Sequence, residues 1–369
     1  MLSINAETKT VTTAVAPYAY DKLLLATGAT SVLPPMVGTA LPGVFALRWI
    51  GDMLGLDDYL KTHAVRRALI VGGGYIGVEM ADALIQRGLA VTLAEPSAAV
   101  LKTLDPELGQ QAGAELARHG VAVRPQFRMQ HIQAQGAALV VTSEAGVTEE
   151  TDLVLLATGA RPNADLLREQ GIGIGTGTYG AYTLNQCMES SLPDVYVAGD
   201  CAETWHALLQ RYQYLPLGTT AHKQGRVAGE NMVGGAAWFA GSLGTQVVKV
   251  FDLVAGRTGQ HERDCREHHL PSRTVESTHF DHKQYYPGAQ PLTIRLTGNL
   301  TTGELLGMQT LGPYAAKVSK RLDIAAVALH QRLTIEQLNE LDLSYTPPLS
   351  SPWDPVQMAA QAWLRAGQS

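Results

Sequence analysis

Short unbroken apolar runs that stop at glycine dominate the first part of the chain, and Ala68-Leu69-Ile70-Val71 before Gly72 is the strongest. Such runs predict strands buried on both faces, as in parallel sheets. Val78 to Arg87 reads as a helix that Gly88 closes, and Ala90-Val91-Thr92-Leu93-Ala94 as a second strand ending in Glu95. Two further runs echo each other 131 residues apart, Leu24-Leu25-Ala26-Thr27-Gly28-Ala29 and Leu155-Leu156-Ala157-Thr158-Gly159-Ala160. Their near identity predicts two related domains, each closed by a strand and a Thr-Gly turn. Asp194 to Val197 predicts another strand, which runs into Gly199-Asp200, and Pro216 to Met232 a helix that packs small residues on backbone. From about Thr245 the pattern alternates, at 246–251, 292–296 and 304–309, which predicts an antiparallel sheet. Helical spacing follows at Lys317 to His330, at Thr334 to Leu338 and from about Asp354.

The β-α-β stretch carries G-x-G-x-x-G at Gly72, Gly74 and Gly77, with Ile76 inside it and Glu95 placed 23 positions after the first glycine. Gly72 permits the tight turn, Gly74 lets a pyrophosphate approach the backbone, and Gly77 lets the helix lie close on the strand. The helix N-terminus then favours negative charge. Glu95 is placed to accept hydrogen bonds from a ribose diol and would repel a 2′-phosphate, so NADH is expected over NADPH. Asp200, at the end of a parallel strand, could bind ribose-like hydroxyls or cap the next helix.

Composition narrows the function classes. The chain has 369 residues, room for two or three domains, and its 46% apolar residues exclude global disorder. A net charge of −6 without a basic stripe leaves no footprint for nucleic acid or anionic membrane. No run of 18 apolar residues occurs, so no membrane span is expected. Three cysteines, Cys187, Cys201 and Cys265, contain no paired motif and fit a reducing, cytoplasmic setting. His261, Cys265, His268 and His269 share helical spacing that could hold zinc, but the flanking Glu262, Arg263, Asp264, Arg266 and Glu267 read as a solvated helix. No metal is expected.

Four blocks, at 21–29, 72–81, 195–200 and 216–226, resemble in order and spacing the flavoproteins called pyridine nucleotide-disulfide oxidoreductases. FDLVAGRTG at 251–259, YYPG at 285–288 and LSYTPPLSSPWDPV at 343–356 are similar to the coenzyme A-disulfide reductase, NADH oxidase and NADH peroxidase branch. The resemblance implies FAD beside the nicotinamide coenzyme. It places Tyr75 over the flavin and Glu79 near the nicotinamide amide, gives Asp200 after Gly199 to the flavin ribityl chain, and sets Thr27 and Gly28 near the FAD pyrophosphate, with Gly159 at the echoed exit. Tyr286 and Tyr345 match tyrosines that reach across a homodimer interface toward the partner's redox centre. For Tyr286, beside Tyr285, a packing or surface role stays open.

The implied fold class is α/β, with a Rossmann-like NAD-binding domain at 46–160 inserted in an FAD-binding domain at 1–45 and 161–240, and an α+β dimerisation domain at 241–369. Family members begin with a β-α-β unit that carries a first glycine motif and a redox cysteine. Only 22 residues, none of them glycine, precede Leu23, and none of the three cysteines matches that nucleophile. The expectation is therefore an incomplete FAD domain and a truncated chain with impaired flavin binding. The implied activity is hydride transfer from NADH to flavin, then electron transfer to a small-molecule acceptor: a disulfide such as coenzyme A disulfide, a peroxide or oxygen. The alternatives are a non-catalytic NADH-binding dimer and one half of a split flavoenzyme.

Overall fold

The computed structural model describes residues 3–367 except 166, 168–173 and 178. The chain divides into two compact units, one of Met1–Val32 with Ala160–Gly244 and one of Leu33–Gly159 with Thr245–Ser369. The first exchange between them falls after Val32, earlier than the expected position 45. The strand Val44–Ala46 explains the difference, because it hydrogen-bonds in parallel to Leu153–Leu156 and so belongs to the sheet of the second unit.

In that second unit, the apolar runs form a parallel sheet in the order Val44–Ala46, Leu153–Leu156, Arg67–Val71, Ala90–Glu95, Ala122–Pro125. All four residues of Leu153–Leu156 are buried, which is why this segment carries no polar alternation. The helix expected at 78–87 spans Tyr75–Gln86, since Gly74 is its N-cap and the turn starts at once. A second crossover helix, Pro106–Arg118, leads to the edge strand. An antiparallel three-stranded sheet, Met129–Gln135, Ala138–Ser143 and Thr148–Thr151, precedes the return to Leu153.

The C-terminal part of the same unit is the expected antiparallel sheet, ordered Gln246–Val250, Leu253–Gly259, Leu305–Pro313, Pro291–Asn299, Ser272–Phe280. Val318–His330 and Pro355–Arg365 are its long helices. One buried cluster contains both Val78, Leu84 and Leu108 from the parallel half and Val248, Val250 and Leu311 from the antiparallel half. Polar groups reinforce it. The half-exposed Lys249 lies near Asp82, whose carboxylate also accepts from the Phe251 N–H at 3.2 Å.

The first unit is built on a parallel pair, Leu23–Leu25 with Val195–Val197, beside the helix Gly218–Met232. The segments after the two echoed Thr-Gly exits pair with each other, Ala29–Ser31 antiparallel to Ala160–Pro162. Val227 and Ala228 of the helix are buried, whereas a β-carbon on Gly225 would meet nothing, so the small residues of this helix pack on one face only. Among the described residues, no helix is long and apolar enough to cross a membrane.

Asp152 ties two neighbouring strands of the parallel sheet. Its carboxylate accepts from the Arg66 and Arg67 N–H groups at 3.0 and 2.9 Å and from the Arg67 guanidinium at 2.7 Å. Hydrogen bonds from that guanidinium, more than the opposing desolvation, lower its pKa. Asp152→Asn is expected to cost about 1.5–3 kcal/mol at neutral pH, the usual range for hydrogen bonds to a charged group. A depressed carboxyl pKa stabilises the fold above the unfolded value of about 3.9, and that contribution fades as pH falls through the folded value. Melting curves of both proteins should therefore converge in acid; a difference that stays constant with pH would exclude the ion pair as its source.

Candidate functional site

The turn from Val71 into Tyr75–Gln86 is dictated by its glycines. Gly72 has φ +110°, a conformation that favours glycine, and a β-carbon there would run into the Ala157 carbonyl. A β-carbon on Gly77 would strike the Gly72 carbonyl. Gly74 differs, with φ −75° and open space where its β-carbon would be. The helix thus begins hard against the strand end with an unfilled hollow over its N-cap.

That hollow belongs to a cleft of about 310 Å³ lined by Gly72, Gly74, Glu95, Lys102, Arg128 and Gly159 among others. Glu95 is buried, and its two oxygens accept from the Gly73 N–H at 2.7 Å and the Ser97 N–H at 2.8 Å. A carboxylate has about four lone-pair sites, so these bonds orient it and leave capacity for a hydroxyl donor. Gly159 has φ +108° and no atom near its missing β-carbon. A helix N-terminus, a hollow only glycine leaves open and an oriented carboxylate fit a dinucleotide's pyrophosphate and ribose. Lys102 and Arg128 are additions that the motif did not signal, although Lys102 lies only seven residues beyond Glu95.

Tyr75, the first helical residue, is partly buried, and its hydroxyl accepts from Thr103 Oγ1 at 3.2 Å. Burial raises its pKa, so it is a neutral phenol at physiological pH. Ile76 is exposed beside it. Glu79, one turn along, is on the exposed side, yet desolvation by the surrounding protein raises its carboxyl pKa.

In the first unit, Thr27, Gly28, Gly199 and Asp200 gather at the carboxyl edge of the parallel pair. Gly28 and Gly199 have φ +67° and +83°. The Gly199 N–H donates to Gln224 Oε1 at 2.8 Å, which pins the Gly-Asp turn to the helix behind it. Asp200 is half-buried, and its carbonyl accepts from the Tyr214 hydroxyl at 2.9 Å. The Thr27 hydroxyl donates to the Asn163 carbonyl at 2.7 Å, so its side chain serves the strand exit. An acid and two left-handed glycines at a strand edge fit the hydroxyls of a ribityl chain.

Elsewhere the tyrosines separate. Tyr286 meets His282 edge-on, with ring centroids 6.1 Å apart. Tyr345 has Tyr285 as its neighbour, and desolvation, followed by that tyrosine, raises its pKa. The segment read as a solvated helix is helical at Glu262–Glu267, but His261 and Cys265 are buried, which corrects that reading for one of its faces. Among the described residues, the grouping with metal-ligand geometry is Glu115, His119 and Asp252. Arg118 already contacts all three, at 2.7, 2.8 and 3.2 Å, and supplies the positive charge there. Burial raises the thiol pKa of Cys201 and Cys265, which disfavours the nucleophilic thiolate.

The pyridine nucleotide-disulphide oxidoreductase family model matches residues 1–225, and the model of that family's dimerisation domain matches 245–355. A CoA-dependent NAD(P)H sulfur oxidoreductase of Pyrococcus abyssi is 35% identical over 345 residues, 93% of this chain and 76% of that protein. The solved reduced CoADR-RHD of Bacillus anthracis superposes with TM-score 0.92 at 34% identity, covering 98% of this chain and 65% of that one. An NAD-dependent persulfide reductase from A. fulgidus gives 0.94 at 32% identity, over 99% of this chain and 68% of its own.

Gly74 and Gly77 separate the two uses of glycine in the turn. Gly77→Ala is expected to destabilise the fold by about 1–3 kcal/mol through overpacking. Gly74→Ala should leave the melting temperature nearly unchanged while weakening NADH binding about tenfold, because its methyl enters the hollow. Calorimetric melting and NADH titration of both variants check this; equal loss of stability in the two would overturn the assignment of the hollow.

Proposed function

Since this chain belongs to the pyridine nucleotide-disulphide oxidoreductase family, a family of FAD- and NAD(P)H-dependent oxidoreductases, we propose that it takes hydride from NADH onto FAD and passes two electrons to a sulfur-based acceptor. The acceptor class is a disulfide or persulfide such as coenzyme A disulfide, with peroxide and oxygen as the other acceptors of this chemistry. The working form is a cytoplasmic homodimer, held through the dimerisation domain at 245–355. The observation that carries the reading is the cleft at Gly72, Gly74 and Glu95, which pairs an anion-binding helix end with an oriented carboxylate.

FAD, when bound, supplies the two-electron relay between coenzyme and acceptor. The protein's residues bind, orient and exclude. The amides that open Tyr75–Gln86 bind the coenzyme pyrophosphate, and Glu95 accepts from the adenosine ribose hydroxyls. Tyr75, neutral and tethered to Thr103, is the side chain that moves aside for nicotinamide. Glu79 holds the nicotinamide amide, Asp200 the flavin ribityl hydroxyls, and Tyr286 and Tyr345 serve the partner's redox centre. NADH is the preferred coenzyme, because a 2′-phosphate would meet Glu95; Lys102 and Arg128 in the same cleft temper that repulsion.

Anaerobic addition of NADH to purified, FAD-supplemented protein should bleach the flavin, and NADPH should do so more slowly. Glu95→Gln should narrow the NADH-to-NADPH ratio of kcat/KM about tenfold. A protein that binds NADH yet never reduces flavin would refute the hydride step and favour a non-catalytic binding role.

A further inference from the structure

The loop Leu101–Asp105 is gripped from two sides. On one side the Leu101 N–H, in a left-handed backbone at φ +51°, donates to the Gly73 carbonyl at 2.7 Å. Lys102 then lines the coenzyme cleft, and Thr103 Oγ1 donates to the Tyr75 hydroxyl. On the other side stands the antiparallel sheet. The Thr103 carbonyl receives His261 Nε2 at 2.8 Å and the Arg257 guanidinium at 3.1 Å, which fills both of its lone pairs and requires the proton on Nε2. Arg263 reaches the Lys102 carbonyl at 3.4 Å. The loop's far end is fixed as well: Asp105 exchanges two hydrogen bonds of 2.7 Å with Gln309 and pairs with Arg295 at 2.9 Å.

We propose that Arg257 and His261 are positioning residues for the coenzyme cleft, holding Thr103 so that Tyr75 and Lys102 stand where a bound dinucleotide meets them. The inference rests on the reading of that cleft as the NADH site. Left-handed backbone at a leucine is strained and persists only where its surroundings fix it. His261 is 2% exposed, so its ring is fixed by packing, and the Arg257 guanidinium is held by the Gly259 carbonyl and by Asp264 Oδ2 at 3.3 Å. Both donors are therefore held in place before coenzyme arrives. Groups fixed in advance lower the ordering cost of binding. A sheet outside the coenzyme fold thereby controls affinity at the cleft.

The test is NADH titration of the full chain by coenzyme fluorescence, with a melting curve for every variant. His261→Phe keeps the ring volume and removes the donor; it should weaken NADH binding about tenfold, within the span of measured couplings. His261→Gln offers an amide N–H at the Nε2 position and should bind within about twofold of wild type. Combining His261→Phe with Tyr75→Phe should weaken binding less than the two separate effects multiplied. Arg257→Lys, which keeps the charge and loses the planar fork, decides the matter if His261→Phe does not fold, and weaker NADH binding is again expected. Unchanged affinity in His261→Phe or Arg257→Lys, or failure of glutamine to rescue, overturns the proposal. Gly74→Ala separates the two readings. If it weakens NADH while His261→Phe does not, the clamp alone is wrong; if wild type binds no NADH, the coenzyme reading fails and the clamp falls with it.

Discussion

The contact between Gly77 and the carbonyl of Gly72 is the constraint on which the parallel-sheet half depends. It lets a helix start with only three residues between it and a strand's end, so the first-turn amides stand at the carboxyl edge of the sheet. Other parts of the cleft are fastened to the same turn. Glu95 accepts from the Gly73 N–H, and Leu101 donates to the Gly73 carbonyl. One residue without a side chain therefore aligns the acid from the next strand and the loop beyond it. A larger residue at Gly77 would move all of these together.

The antiparallel sheet is more than an appended surface for association. Its residues Val248, Val250 and Leu311 share a core with helix residues beneath the parallel sheet, and its polar side chains reach the backbone of the cleft-bordering loop. Hydrophobic burial supplies adhesion without direction, while hydrogen bonds to Thr103 and Asp105 set where that loop stands. Buried polar groups of this kind are costly when unpaired, so the arrangement tolerates few alternatives.

Local order made much of this legible in the sequence. The β-α-β unit, the Gly-Asp strand, the antiparallel character after Thr245 and the helix near 318–330 all follow from periods and glycines within short windows. The helix began three residues before the expected Val78, because Gly74 caps it and its first turn carries no polar cap signal. The expected boundary at 45 cuts through Val44–Ala46, because three residues hold no information about a partner strand at 154–156. The meeting of Thr103 with Arg257 and His261 escaped for the same reason, since only the folded chain brings residues 103 and 261 together. The charged stretch after His261 hid a buried face because a six-residue helix is too short to show its periodicity.

The interleaving of the two units fixes an order of events during synthesis. The parallel sheet is complete once Leu156 has emerged, and its neighbours in sequence suffice to close it. Leu23–Leu25, made earlier, waits for Val195–Val197, and Val78 and Leu108 wait longer still for Val248 and Leu311. Pairings so distant along the chain form slowly, and the apolar surfaces that await them are open to the wrong partners meanwhile. The nascent protein thus passes through a stage in which the cleft at Gly74 has a floor but lacks the sheet that braces its rim, a stage at which chaperones and proteases would find it.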